Sequence, residues 1–186
     1  MRYAKIREMD ISNGEGVGIS LFVQGCHFHC RGCFNPETWD FSGGKEWTND
    51  IKKQFLILAQ KPYISRISIL GGEPLCNENV GDVLELIKSI RQAFPDKHIW
   101  LYTGYEFAKI MDYEKLANFD MLTNEQIYDK KRIDCVKNVD VVVDGQFQLE
   151  NQDIYNEKIV FAGSTNQNII HIKDVIGDSN TYEKQN

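Results

Sequence analysis

The stretch FVQGCHFHCRGCFNPETW, residues 22–39, carries cysteines at 26, 30 and 33, with His27 and His29 between them and glycines at 25 and 32. Thiolates are soft metal ligands, so a trio this close together is a candidate metal centre. The number of thiols narrows the choice. A structural zinc site takes four closed ligands, usually as two close pairs separated by a longer run. Here one trio stands without a second pair. His27 or His29 would have to supply a fourth ligand, and neighbouring residues in so tight a loop wrap one tetrahedral ion poorly. An iron–sulfur cube is larger and suits three thiolates spread around a loop. It then keeps one iron without a protein ligand, an open corner where a substrate can bind, as at an open catalytic metal. On that reading His27 and His29 pack the loop or donate hydrogen bonds near the metal. Cys76 and Cys135 stand alone and read as small buried hydrophobes or half-exposed thiols.

The elements that would carry this loop alternate between strand and helix. GVGISLFVQG (17–25 with its leading residue) is β-rich and apolar throughout, as a strand buried on both faces is. KEWTNDIKKQFLILAQKP puts Ile51, Phe55, Leu58 and Ala59 on one helical stripe, with Thr48 or Asn49 as cap and Pro62 after the end. ISRISIL is a short strand ending at the turn GGEP, followed by the helical NENVGDVLELIKSIRQAFP with Val80, Val83, Leu84, Ile87 and Ile90 in phase. HIWLY is a third strand ending at TGY, before the helical EFAKIMDYEKLA; VDVVV is a fourth, ending at DGQF. NEKIVFAGSTNQNIIHIKDV reads as irregular extended chain with a final short strand. The pattern predicts an α/β fold of βαβ units with a mainly parallel sheet, whose ligands bind beyond the carboxyl ends of the strands. The cysteine loop, GGEP, TGY and VDG all lie at such ends, so they should converge on one rim.

Simpler readings fit some of these motifs. GGEP or VDG alone is a turn, because glycine and proline punctuate any chain. NGEGVG superficially suggests a nucleotide-binding loop, but it precedes a strand and lacks the G-x-G-x-x-G spacing, so that reading is rejected. The apolar helical stripes are core.

At 186 residues the chain is expected to be one domain, residues 1–176, followed by a polar, disordered tail at 177–186. A net charge of −6 argues against nucleic acid as a partner, since phosphates call for clustered Lys and Arg. The basic run Lys130, Lys131, Arg132 reads as a solvated loop able to touch an acidic protein. No leader and no run of ~18 apolar residues is visible, which predicts a cytoplasmic protein with no membrane contact. In such a compartment five cysteines point to metal or chemistry and not to disulfides.

Cys-x3-Cys-x2-Cys at the end of a first strand, with Phe34 after the third cysteine, resembles the signature of the radical S-adenosylmethionine superfamily. NGEGVGISLFVQGCHFHCRGCFNPETW, GGEPL, TGY, VDVVVDGQF and GSTNQ, in that order, resemble its branch that activates anaerobic ribonucleotide reductases. The resemblance implies a partial, open (β/α) barrel and an oxidoreductase that acts by radical chemistry. It implies that Cys26, Cys30 and Cys33 hold a [4Fe–4S] cluster whose open iron takes the amino and carboxylate groups of S-adenosylmethionine. Gly71, Gly72 and Glu73 would lie along the cofactor's amino group, and Gly32, Cys33 and Phe34 would border its adenine. Reductive cleavage would give a 5′-deoxyadenosyl radical, which takes a hydrogen from a glycine of the large catalytic subunit of the reductase. Reduced flavodoxin is the implied electron donor. No acid–base residue is required, because the cluster and cofactor carry the chemistry. The residue before GGEP is Leu70, where the resemblance leads one to expect serine.

Two other functions fit parts of the pattern. An activase of another glycyl-radical enzyme, such as a pyruvate formate-lyase, would use the same chemistry; the short chain and GSTNQ favour the reductase. A non-catalytic zinc-stabilised interaction module would bind zinc, lack colour and ignore S-adenosylmethionine.

Overall fold

The computed structural model describes residues 1–112, 123–153 and 160–176. A single seven-stranded sheet runs in the order β3-β1-β2-β4-β5-β6-β7. Its strands are β1 (Arg2–Asp10), β2 (Gly18–Gln24), β3 (Lys45–Glu46), β4 (Arg66–Gly71), β5 (His98–Tyr102), β6 (Val141–Asp144) and β7 (Asn168–His171). The helices are α1 (Asn49–Ala59), α2 (Val80–Ala93), α3 (Phe107–Asp112), α4 (Asn124–Lys137) and α5 (Ile172–Ile176). The centre, β2-β4-β5-β6, is parallel. The flanking strands β1, β3 and β7 pair antiparallel. The α/β class and the parallel core follow the sequence pattern; the sheet as a whole is mixed.

Each central strand is buried on both faces, but the faces differ in chemistry. Ile19, Leu21, Val23, Ile67, Ile69, Ile99, Leu101 and Val142 join one aliphatic core with residues of all five helices, among them Phe55, Ile87, Phe107, Ile133 and Ile172. The alternate residues Ser20, Phe22, Arg66, Ser68, Leu70, Trp100 and Tyr102 point to the other face. Loops cover that face, and it is there that a cavity forms.

Local signals explain most elements. Thr48 caps α1, its hydroxyl accepting from Ile51 N at 3.3 Å, and Pro62 lies just past the end. The stripe Val80, Val83, Leu84, Ile87, Ile90 of α2 is buried as the spacing requires. HIWLY forms β5 and the final short strand is β7. Residues 113–117 of EFAKIMDYEKLA and the tail 177–186 lie outside the described residues.

Three segments depart from the sequence pattern. β1 is a strand despite its charges: Lys5 and Arg7 lie over the ring of Phe22, at 4.6 and 4.9 Å from its centroid, so their charge masks a sheet position. The end of the stretch expected to be extended, 172–175, belongs to the helix Ile172–Ile176, and its residues 156–159 lie outside the described residues. Lys130, Lys131 and Arg132 are no solvated loop but the middle of α4, opened by a capping box at Thr123 and Gln126. Arg132 is buried, pairs with Asp129 at 2.6 Å and donates Nε to Leu75 O at 3.0 Å. An ion pair occupies part of the packed face of α4, so no apolar period was there to read.

Arg66 opens β4 fully buried and anchors the loop between β1 and β2. Its guanidinium donates to the carbonyl oxygens of Asp10, Asn13 and Glu15 and to Ser68 Oγ, with Asp10 Oδ1 3.8 Å away. Burial alone would raise the Asp10 carboxyl; bonds from Ser12 and Asn13 and the Arg66 charge hold it below the usual range instead. This explains two of the three glycines of NGEGVG, since a Cβ at Gly14 would lie 2.6 Å from Arg66 Cδ, and one at Gly18 2.6 Å from its NH2. Arg66→Ala should therefore lower unfolding free energy by more than about 3 kcal/mol in denaturant titrations, whereas Lys53→Ala, on an exposed turn of α1, should change it by under about 0.5 kcal/mol.

Candidate functional site

A cavity of about 510 Å³ opens at the carboxyl ends of the parallel strands. Its wall takes Cys26, Cys30, Cys33 and Phe34 from the loop after β2, Gly71, Gly72 and Glu73 from the turn after β4, Thr103 and Gly104 after β5, and Gly145–Phe147 after β6. The four motifs do meet at one rim. Gly32 is the site candidate outside this lining; it sits exposed on the cysteine loop at φ +75°, facing Leu149.

The cysteine loop is launched and held by backbone bonds. Gly25 N donates to Thr38 O at 2.7 Å and Cys26 N to Trp39 O at 3.1 Å. His29 adopts φ +47° and stacks on Trp39 at 4.8 Å between centroids; His27 packs at a tilt against Phe41 and its Nε2 lies 2.9 Å from Glu78 Oε1. Both histidines thus pack the loop, as the sequence reading had them. Burial first, and neighbouring acidic groups second, push the Cys26 and Cys30 thiols up. Backbone N–H groups of Phe28 and His29 pull Cys26 back, and that of Phe147 does so for Cys30. Asn35 N donates to Cys33 Sγ at 3.4 Å. Three sulfurs on one wall, each met by backbone N–H groups, suit thiolate ligation of an iron–sulfur cluster. Among the described residues no three His, Cys, Asp or Glu side chains gather at a point that would suit one ion.

The GGEP turn sits where it does because its backbone docks on the strand leading to Cys26. Gly72 N donates to Val23 O at 2.9 Å and Glu73 N to Gly25 O at 2.8 Å. Gly71 has φ +107°, and a Cβ on Gly72 would meet Gly25 O at 2.4 Å. Asn79 locks the junction, its Nδ2 donating to Gln24 O at 2.9 Å and to Glu73 O at 3.0 Å. That use explains why Asn79 opens α2 without a side-chain cap bond.

Glu73 is buried and joins two strand ends. Its Oε1 accepts from Leu75 N at 2.8 Å and Thr103 Oγ1 at 2.7 Å, and its Oε2 from Gly104 N at 2.7 Å. Burial pushes its carboxyl up to about 7, against the pull of these donors and of Arg132. Leu70 lies in the cavity floor, opposite Phe22 of β2 and level with Tyr102 of β5. Cys76 and Cys135 are buried outside this lining, and burial pushes both thiols far up. At the mouth Phe34 is 62% exposed, and its ring lies 5.0 Å from that of Phe147. The GSTNQ segment closes the far side: Gln167 Oε1 accepts from Gly163 N at 2.7 Å while its Nε2 donates to Gly145 O at 2.7 Å.

A family model described as "4Fe-4S single cluster domain" matches residues 12–170. The chain is 32% identical over 175 residues to the anaerobic ribonucleoside-triphosphate reductase-activating protein of Escherichia coli K12, covering 93% of this chain and all of that one. It is 31% identical to the protein of the same name from phage T4, covering 91% and 93%, and 32% identical to that from Vibrio cholerae, covering 92% and 97%. The chain belongs to this family of reductase-activating proteins. Membership in the 4Fe–4S family agrees with the cysteine wall of the cavity, and among the described residues no helix is long and apolar enough to cross a membrane.

The sequence places TGY at the rim but gives no sign that Thr103 and Gly104 hold Glu73, and nothing in it marks Asn79 as part of the site. TGY was visible as a turn, but its bond to Glu73 spans 30 residues and has no local signature.

Gly72→Ala should lower unfolding free energy by about 2 kcal/mol or more, because the carbonyl it would strike is backbone. Gly81→Ala, in α2 with nothing nearer than Lys131 Nζ at 3.7 Å, should be neutral or stabilising by up to about 1 kcal/mol. Glu73 titrates higher folded than unfolded, so the folded state binds the extra proton and this group costs stability as pH rises from about 4.5 to about 7. In thermal melts of the cluster-free protein, wild type should lose ground to Glu73→Gln across that window. The relative loss should be on the order of 2–3 kcal/mol.

Proposed function

We propose that this chain activates an anaerobic ribonucleoside-triphosphate reductase by generating a glycyl radical on its large catalytic subunit. The observation that carries the reading is the single cavity at which three thiols and three glycine-containing strand ends converge, in a chain of the activating-protein family. In this reading Cys26, Cys30 and Cys33 hold a [4Fe–4S] cluster. When bound, the cluster and S-adenosylmethionine supply the one-electron chemistry that ends in the glycyl radical. The chain's own residues bind, orient and shield.

Gly71, Gly72 and Glu73 face the cofactor's amino group. A carboxylate offers about four lone-pair sites, and protein donors at Glu73 take three, which leaves one for an ammonium. An ammonium there would also draw the carboxyl down into its charged form. Cys33 and Phe34 border the adenine, with Phe147 behind Phe34. Gly32 takes part through the backbone turn it permits. Phe161, Ala162 and Gly163 lie along the lining and make that part of it apolar.

The fold belongs to the same reading, as a partial, open (β/α) barrel formed by one domain over 1–176 with a tail at 177–186. Helices packed on one sheet face support it, as does a strand order whose ends, β3 and β7, are not paired with each other. An open side suits a large protein substrate that completes the enclosure itself. The electron donor is a flavodoxin-like reductant, and the setting is the cytoplasm.

The test is anaerobic reconstitution with iron and sulfide, followed by S-adenosylmethionine, a strong one-electron reductant and the reductase large subunit. Wild type should form 5′-deoxyadenosine and a glycyl-radical doublet in electron paramagnetic resonance, and Cys26→Ala should form neither. A protein that holds a full cluster yet yields no radical on the reductase would overturn the proposal. Radical formed instead on a pyruvate formate-lyase would move the activity to that partner.

A further inference from the structure

Tyr102 ends β5 with its side chain on the cavity face. The register of β4 against β5 sets it level with Leu70, which lies opposite Phe22, while Val143 lies on its other side. Phe22, Leu70 and Tyr102 of this row line the cavity, and the Tyr102 hydroxyl is their one polar side-chain group. Among the described residues, Tyr102 Oη is buried with no hydrogen-bond partner, and it alone of such atoms belongs to a residue lining the cavity. The charged groups nearest to it are already engaged: Arg66 donates to the carbonyls of Asp10, Asn13 and Glu15, and the Asp10 carboxylate accepts from Ser12 and Asn13. Buried hydroxyls are nearly always paired, since an unmade bond forfeits the group's hydration without return. The cavity is the side from which a partner can come.

We propose that the Tyr102 hydroxyl hydrogen-bonds a ribose hydroxyl of bound S-adenosylmethionine and so positions the cofactor. The inference rests on the functional reading above, and strand order gives the group. That reading sets the amino group over the turn after β4 and the adenine beside Phe34 and Phe147, the latter following β6. β5 lies between β4 and β6, so the middle of the ligand crosses Tyr102. The groups there are the sulfonium and the ribose, and of these the ribose carries hydroxyls.

The experiment measures S-adenosylmethionine affinity by anaerobic equilibrium dialysis on cluster-loaded wild type and Tyr102→Phe, with iron content determined for both. Loss of one net hydrogen bond should weaken binding about 3- to 10-fold, with equal iron content. The 2′-deoxy or the 3′-deoxy analogue should bind both proteins alike. The unfolding midpoint of the ligand-free variant should be unchanged or higher, because no protein bond is lost. Equal affinities for S-adenosylmethionine, a lowered midpoint, or an undiminished difference with both deoxy analogues would each overturn the assignment while leaving the activase reading standing. Wild type that holds its cluster and does not bind S-adenosylmethionine would overturn both.

Discussion

The close approach of the turn after β4 to the end of β2 is the contact on which the site depends. Parallel strands there diverge into separate loops, and without a link each loop would move independently. Gly72 N on Val23 O and Glu73 N on Gly25 O extend the ladder beyond the regular strand and into both loops. With only 2.4 Å between a Cβ at position 72 and Gly25 O, a side chain would wedge the two apart. The glycine therefore sets how far the cysteine loop stands from the turn, and so the width of any ligand held between them. Asn79 clamps the same junction from the start of α2.

Glu73 carries the constraint outward to β5. A carboxylate buried this deeply is unfavourable unless donors surround it, and three do: Leu75 N, Thr103 Oγ1 and Gly104 N. The outcome is a balance in which desolvation leads and the carboxyl titrates near neutrality. Such a group is poised to respond to a cation arriving in the cavity. Arg132 reinforces the region from α4, lying over Tyr105 at 4.9 Å and holding Leu75 O. The inner wall is thus braced by polar bonds between loops, while the mouth, with Phe34 and Val160 exposed, is left apolar and free.

The two sheet faces divide the work. The helix side is aliphatic and supplies the burial that stabilises the domain. The cavity side tolerates Arg66, Asp10 and Ser68 because the β1–β2 loop folds over it and its carbonyls take up the guanidinium. Polar chemistry can then sit in the interior without loosening the core.

The sequence alone determined the elements whose signal is local: β2, β4, β5 and β6 as buried apolar runs, α1 and α2 by their stripes, and the cysteine trio by its spacing. It also located the rim, because in a parallel sheet each strand's carboxyl end is fixed by chain direction. Tertiary structure decided what depends on distant partners. β1 is a strand because Phe22 receives its cationic side chains, and α4 packs a face that includes an ion pair. Thr103 and Gly104 brace the site because Glu73, at the end of the neighbouring strand, accepts from both. The reason is common to all three cases. Periodicity reports which side of an element is apolar, whereas a buried charge or hydroxyl is made acceptable by a group far along the chain, and only folding brings that group near.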